Sequence, residues 1–442
     1  MGHFVPHTDA EVSEMLAFLG LSSVEELFES VPAGLRLAGG LDLPPGLSEP
    51  DVAAEMGRLA GANAVAPDLI CFAGGGVYDH EVPAAVRSLT FRSEFVTAYT
   101  PYQPEVAQGV LQLLFEYQTM VARLAGLEVA NASLYDGASA LVEGVNLAVA
   151  ATGRPRVLLS RGVNPGWREV AGTFAAGTGH QLADVPLRGG VTAWPPGDEP
   201  AGAVVVQYPN YLGCLEDLAE ARAAADRAGA LLVVAFDPVA SGLLRSPGPA
   251  GADVAVGEGQ PFGTPLSFGG PLLGLFACRL AHVRRLPGRL VGETVDAEGR
   301  RAYVTTLRTR EQDIRREKAS SNVCTNQTLI AVACAIQLAW LGTGGLRELA
   351  LRCARGTRYL RDSLLAIDGV EPLVDAPVLR EFAVRTPLPA TTVVERMADE
   401  GFLAGVALPD DEFRDGLLIA VTERRTRAEI DQYAGALDKV IR

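Results

Sequence analysis

Between residues 156 and 256, runs of leucine and β-branched residues alternate with amphipathic stretches, and this alternation narrows the possible folds more than any other feature. Val157-Leu-Leu-Ser160, residues 182 to 187, Ala203-Val-Val-Val-Gln207, Leu231 to Phe236 and residues 253 to 256 read as strands, with helices from about 165 and over 215 to 228. Strands apolar on both faces need cover on both, which predicts a mostly parallel sheet between two layers of helices. In that architecture ligands collect beyond the carboxyl ends of the strands. Three features fall there: Pro209-Asn210, Asp237-Pro238, and a loop after the last strand punctuated by Gly257, Gly259, Pro261, Gly263, Pro265, Gly269, Gly270 and Pro271.

A loop this rich in rigid and left-handed positions is built to hold something. Gly257-x-Gly259-x-x-x-Gly263 is not a dinucleotide fingerprint, because that motif must open a helix facing the pyrophosphate, and Pro261 and Pro265 block one. The remaining mechanism is the loop that, in one large class of pyridoxal phosphate (PLP) enzymes, carries the Schiff-base lysine. Here that lysine is missing. Of 38 basic residues only Lys318 and Lys439 are lysine, and an arginine stays protonated and cannot supply the imine nitrogen. Lys439 lies near the carboxyl end, and Lys318 sits in the charged run Arg315-Arg316-Glu317-Lys318, which reads as a solvated helix face. Any PLP chemistry therefore draws its lysine from another chain. Asp237 is a strand-end carboxylate of the kind a pyridinium nitrogen needs, and equally a turn former before proline. The helix start Asp136-Gly-Ala-Ser139 has small side chains that let an anion approach free backbone N–H groups, although Asp136 also suffices as an ordinary N-cap.

The net charge of −15 argues against nucleic-acid and anionic-membrane partners. Apolar runs such as Leu231 to Phe236 are too short to cross a bilayer, and no basic-then-apolar segment opens the sequence, so a cytoplasmic protein is expected. The six cysteines are scattered and form no CxxC, which suggests reduced, buried thiols. The histidines offer no metal-binding spacing except His3-x-x-x-His7, and Pro6 disrupts the helix it would need.

Ahead of the alternating region, Thr8-x-x-Glu11 and Ser23-x-x-Glu26 are capping boxes for two short helices, and a Pro/Gly-rich link leads to a third helix after Ser48. This arm is too small to hold a core and must drape over something larger or over a partner. Pro101 and Pro104 hold Tyr99, Tyr102 and Gln103 on a stiff loop before a helix starting near Glu105, an arrangement that suits a pocket or an interface, or simply caps the core. Beyond the glycine loop come an antiparallel strand at 272 to 276, a hairpin over 295 to 304, a helix from about 325 and a longer one over 344 to 367. A small α/β region follows, with strands near 380 to 385 and 417 to 421. The expected organisation is a helical arm (1–60), a large domain (61–310), and C-terminal helices with a small α/β domain (311–442).

Several peculiar stretches resemble one family along nearly the whole chain, the P-protein of the glycine cleavage system. They are Gly20-Leu-Ser-Ser-Val-Glu-Glu-Leu-Phe28, Tyr78-Asp-His80, Thr97-Ala-Tyr-Thr-Pro-Tyr-Gln-Pro-Glu105, Asn131-Ala-Ser-Leu134, Gly257-Glu-Gly-Gln260, Phe268-Gly-Gly-Pro271 and Arg315-Arg-Glu-Lys-Ala-Ser-Ser-Asn-Val-Cys-Thr-Asn-Gln327. That family comes as one chain of two similar halves or as two subunits, the second bearing the PLP lysine in a His-Lys-Thr motif. This chain resembles the first half standing alone, with Gly259-Gln260-Pro261 where the lysine would fall. Ala107 and Ser321 depart from the serine and threonine expected there.

The resemblance implies a PLP-dependent transferase-like fold of type I, with a mostly parallel seven-stranded sheet, whose own cofactor site is vestigial at Ser139, Asp237 and Gln260. It implies an α₂β₂ assembly with PLP on the second subunit, in which glycine is decarboxylated and the aminomethyl group passes to the lipoyl group of H-protein. Tyr99, Tyr102, Gln103 and Glu105, with Arg316, Lys318, Ser321 and Asn322, are the candidates for the mouth of the partner's active site. Two other readings stay open at this point: a scaffold that only stabilises its partner, and an independent PLP enzyme using Lys318.

Overall fold

In an extended strand successive side chains point to opposite faces, so a continuous apolar run must supply two cores. The computed structural model describes residues 6–37, 41–64, 69–96, 101, 103–408, 413 and 415–442, and His3, Tyr99 and Tyr102 lie outside them. Its central sheet is built from β1 (Val129–Ala130), β2 (Arg156–Ser160), β3 (Gln181–Val185), β4 (Ala203–Tyr208), β5 (Leu231–Phe236), β6 (Val254–Glu258) and β7 (Gly274–Cys278). The strand order is β1-β7-β6-β5-β4-β2-β3, and only β7 runs antiparallel to its neighbours. The predicted mostly parallel seven-stranded sheet and its antiparallel strand are thus both present. The edge strand β1, two residues long, is too short to leave a periodic trace in the sequence.

Val204, Val206, Leu232, Val234 and Ala255 face a core closed by α4 (Gln108–Ala125), α7 (Leu218–Ala228) and the first part of α8 (Thr328–Leu365). Ala203, Val205, Val233, Ala235, Val254 and Val256 face the opposite core, closed by α5 (Gly137–Thr152), against which α6 (Pro165–Thr178) packs. The helix expected near Glu105 is instead a 3₁₀ turn over Pro104–Val106 followed by α4, which stops at the left-handed Gly126 as its sequence requires.

Helix α8 is long and apolar enough to cross a bilayer by length and composition, yet 44% of its apolar window is buried inside the fold. It is also two helices in effect, because Gly342 at φ 60°, ψ −175° breaks it where the two separate helices were expected to meet. Beyond it, strands Glu371–Pro372, Glu381–Arg385, Gly416–Ala420 and Val406–Ala407 form an antiparallel sheet, packed with helices Ala390–Asp399 and Arg427–Ile441 around Phe72, Phe382, Ile419 and Tyr433. Ile70–Cys71 pairs in parallel with Phe402–Leu403, and the Ala420 N–H donates to the Phe72 carbonyl at 2.8 Å. The next ten residues therefore start from the small sheet, and Tyr78 within them bonds the loop after β6. Five cysteines are buried as expected; Cys324 is exposed.

The chain divides into two compact units, Met1–Ala64 and Val65–Arg442. In the first, α1 (Asp9–Leu19) has the complete Thr8–Glu11 capping box, and α2 (Glu49–Ala60) is capped by Ser48. The second predicted helix is only a 3₁₀ segment, Val24–Phe28; Ser23 makes no side-chain cap, and Glu26 instead accepts the Ser22 N–H at 2.9 Å.

Candidate functional site

At the carboxyl ends of β4, β5 and β6 a narrow cleft opens between Asn164, Trp167, Gln207, Asp237, Glu258 and Arg380. Asp237 follows the last residue of β5 and does two jobs. One carboxylate oxygen accepts the Val239 N–H at 2.9 Å, forming the turn, and the other pairs with the Arg380 guanidinium at 2.7 Å. The turn-former reading of Asp237 is therefore realised, and the charge that pairs with it is the protein's own Arg380.

Arg380 precedes the strand Glu381–Arg385 and is almost wholly buried. It lies 3.5 Å from the centre of the Tyr78 ring and within 2.6 Å of His80 Nε2. Because a guanidinium only donates, Nε2 must accept, and the ring proton sits on Nδ1, 2.6 Å from Glu423. Burial opposes the Glu423 charge, but the bond to His80 and the Glu81 N–H outweigh it and hold the carboxyl at about 2. Tyr78 donates its hydroxyl to Glu381 at 2.6 Å, and Gly75 donates its N–H to the other oxygen at 2.7 Å. Burial still raises the Glu381 pKa, against the pull of Arg380 and these two donors. A Cβ at Gly74 would come within 2.4 Å of Glu381, so this approach needs glycine.

His80, Cys353 and Glu423 place ligand-type atoms within 4.8 Å of one another. Both ring nitrogens of His80 are already committed, and a metal on Nδ1 would leave an N–H facing the Arg380 donor. Burial also pushes the Cys353 thiol up to about 12, far from the thiolate a metal wants. The trio is a hydrogen-bonded support for Arg380.

On the other wall, Glu258 ends β6 with its side chain at the start of α5. It accepts the Gly137 N–H at 2.9 Å on one oxygen, and those of Gln260 at 2.9 Å and Leu273 at 2.8 Å on the other. Burial pushes its pKa up to about 7 against these three donors. Asp136 takes the Ser139 N–H at 2.6 Å. The helix start proposed as a phosphate seat thus already binds two carboxylates of the chain, and Ser139 does not line the cleft. Trp167 closes over it so tightly that a Cβ on Gly137 would lie 2.2 Å from the indole.

Gln260, in the stretch Gly259-Gln260-Pro261 where the resemblance puts the lysine, is itself a clamp. Its oxygen accepts the Tyr78 N–H at 3.0 Å, and its amide donates to the carbonyls of Tyr78 at 3.0 Å and Thr264 at 2.9 Å. These residues do not fit covalently held PLP: there is no lysine, the anion seat faces Glu258, and Asp237 is neutralised by Arg380.

Tyr99 and Tyr102 lie outside the described residues, and none of the described candidate mouth residues lines this cleft. Gln103, Glu105, Arg316, Lys318 and Asn322 are exposed, and Ser321 is half-buried against Glu143. Burial raises Glu143 to about 7, with Ser321 and Asn146 pulling the other way. Arg316 adopts φ 52°, ψ −125°, a strained conformation for a residue with a Cβ. Lys318 is exposed on a 3₁₀ turn and does not line the cleft, which argues against it as this chain's own Schiff-base lysine.

Sequence reasoning missed Glu258, Arg380 and Glu381 altogether and assigned no role to Tyr78 and His80. A signal existed: Arg380-Glu381 opens the apolar strand Phe382-Ala-Val384, and Glu258 closes Val254-Ala-Val256, charges in runs that must be buried.

The sheet order, the small C-terminal α/β layer and a cleft beyond the carboxyl ends of the parallel strands define the PLP-dependent transferase fold of type I. Solved structures with this fold include glutamate decarboxylase of Lactobacillus brevis (TM-score 0.66, 14% identity, covering 92% of this chain and 96% of that one). Sphingosine-1-phosphate lyase of Burkholderia pseudomallei is another (TM-score 0.64, 16% identity, 93% and 94%). At those identities only the fold is shared. The profile of the family described as glycine cleavage system P-protein matches residues 2–437, and the chain belongs to that family. It is 47% identical to the probable glycine dehydrogenase (decarboxylating) subunit 1 of Moorella thermoacetica and 44% identical to that of Desulforamulus reducens, covering 99% of each chain in both pairs. A crystal structure of glycine decarboxylase (P-protein) of the glycine cleavage system, in inhibitor-bound form, superposes with a TM-score of 0.93 at 48% identity, over 99% of this chain and 100% of that one.

Proposed function

We propose that this chain is the non-PLP-binding subunit of glycine dehydrogenase (decarboxylating), working in the cytoplasm as half of an α₂β₂ assembly with a second, PLP-bearing subunit. The assembly decarboxylates glycine and passes the aminomethyl group to the lipoyl group of H-protein. One observation carries the division of labour: Gln260 occupies the lysine position as a three-bond clamp, next to a Glu258 that fills the anion seat. When bound on the partner, PLP supplies the electron sink for loss of CO₂. This chain contributes a rigid wall, its own cleft held shut by the Asp237–Arg380 pair, and the residues proposed for the partner's active-site mouth: Tyr99, Tyr102, Gln103, Glu105, Arg316, Lys318, Ser321 and Asn322. A scaffold that never approaches substrate is not the reading favoured by relatives named as a dehydrogenase subunit.

The test is co-purification with the second subunit, then glycine–bicarbonate exchange with each chain alone and with both. Activity only in the mixture is expected. Exchange by this chain alone would sink the proposal. Tyr99→Phe and Tyr102→Phe chains, reassembled with the partner, are expected to lose activity; a normal rate leaves the loop no role at the mouth.

A further inference from the structure

The arm formed by residues 6–64 contains no buried residue, yet it carries 15 of the 27 exposed large apolar side chains among the described residues. In α2 they follow a helical stripe, Val52, Met56 and Leu59, each between 45% and 58% exposed. In α1 and the following 3₁₀ segment, Phe18 is 90% exposed, and Leu27 and Phe28 are 54% exposed. A helix of 12 residues is marginal in water without packing on its apolar face, so this stripe has a cover in the working protein. Exposed apolar side chains this concentrated mark an interaction surface.

Charge selects the occupant. Residues 6–64 hold ten carboxylates against two arginines, a net −8 of the chain's −15. A second copy of so acidic a chain is a poor cover, since like charges meeting at an interface cost affinity. We infer that the arm is a clasp: its apolar stripe seats in an apolar groove rimmed with basic side chains on a different polypeptide, the second P-protein subunit. This rests on the proposed function and adds to it where the affinity between the subunits resides.

Hydrogen exchange of the full-length chain, alone and mixed with the second subunit, tests this directly. Amides of 9–19 and 49–60 are expected to exchange freely in the chain alone and to become at least tenfold slower in the mixture. Val52→Ser/Met56→Ser/Leu59→Ser should raise the dissociation constant at least a hundredfold. Its circular-dichroism melting should stay unchanged, because no core residue is touched. Glu25→Lys/Glu26→Lys/Glu29→Lys should weaken binding too, most at low salt. Protection already present in the chain alone, from its own body or a second copy, overturns the inference. So does an undiminished affinity of the serine variant. If the unaltered chain forms no complex at all, the functional proposal fails and the clasp fails with it.

Discussion

The cleft and the arm solve opposite problems. In the cleft, nearly every charged group is out of water and paired within the chain: Asp237 with Arg380, Glu381 with Tyr78 and Gly75, His80 with Glu423, Glu258 with three backbone donors. The arm, by contrast, buries none of its described residues, and its apolar groups are exposed. A region that satisfies itself has little need of a ligand, whereas one that does not satisfy itself needs a partner. The strand-end groups of the cleft serve as internal structure of this chain.

The largest effect expected from breaking the cleft comes from its central pair. Asp237→Ala leaves the buried Arg380 guanidinium without its paired carboxylate, and should cost about 3–5 kcal/mol of stability in urea unfolding. Asp237→Leu/Arg380→Met removes both charges and should cost less than the single change. If the single variant unfolds like the parent, the cleft is not held by this pair.

Restoring the lysine probes the same contrast from the side of the cofactor. Gln260→Lys deprives the Tyr78 N–H of its acceptor and inserts an ammonium among backbone groups, a loss of about 2–3 kcal/mol. Borohydride reduction with PLP should label no residue at 260, because Glu258 and Arg380 still fill the flanking subsites. A yellow, labelled variant would show that the cleft had remained a cofactor site in all but one residue.

How much of this could be read from sequence differs between the regions for physical reasons. The sheet was legible because two-faced apolar strands leave unbroken runs, and Asp237 was placed correctly because a strand end locates its successor. Arg380 and Glu258 were not, since a buried charge announces only that it needs a partner, and its partner lies in a distant segment whose approach depends on the whole fold. Capping was legible at Thr8 and Ser48, where the bond spans three residues, but slipped by one at Ser22, because the 3₁₀ turn shifts which N–H faces Glu26. That the arm holds no core of its own was legible from its size alone.

Titration sharpens the contrast with a smaller effect. Folded Glu258 titrates at about 7 against an ordinary 4.5, so the native state holds this proton more tightly than the unfolded chain does. Its contribution to stability must therefore fall as pH rises from about 4.5 to about 7 and stay low above that. Glu143, also at about 7, contributes the same slope. Glu258→Gln should reduce the difference in melting temperature between pH 5 and pH 8, leaving the part contributed by the other buried carboxyls such as Glu143 and Glu381. Glu423, held at about 2, acts in the opposite window: its contribution is complete above 4.5 and is lost as pH falls toward 2. An unchanged difference between pH 5 and pH 8 in the Glu258→Gln chain would mean its carboxylate is not desolvated at the start of α5.

The smallest expected effect belongs to the arm. Ser48 caps α2 by accepting the Asp51 N–H at 3.4 Å, and Ser48→Ala should cost that helix about 1 kcal/mol. In the chain alone the loss should be invisible to thermal melting, because the unit contributes no buried side chain to the cooperative core. In the assembly, where a clasped α2 must be helical to present Val52, Met56 and Leu59 on one face, the same kcal/mol should reappear as a roughly fivefold weaker association. Titration calorimetry of parent and variant against the second subunit distinguishes the cases: a shift in melting of the isolated chain with no change in affinity would place α2 in this chain's own core and erase the contrast between the two regions.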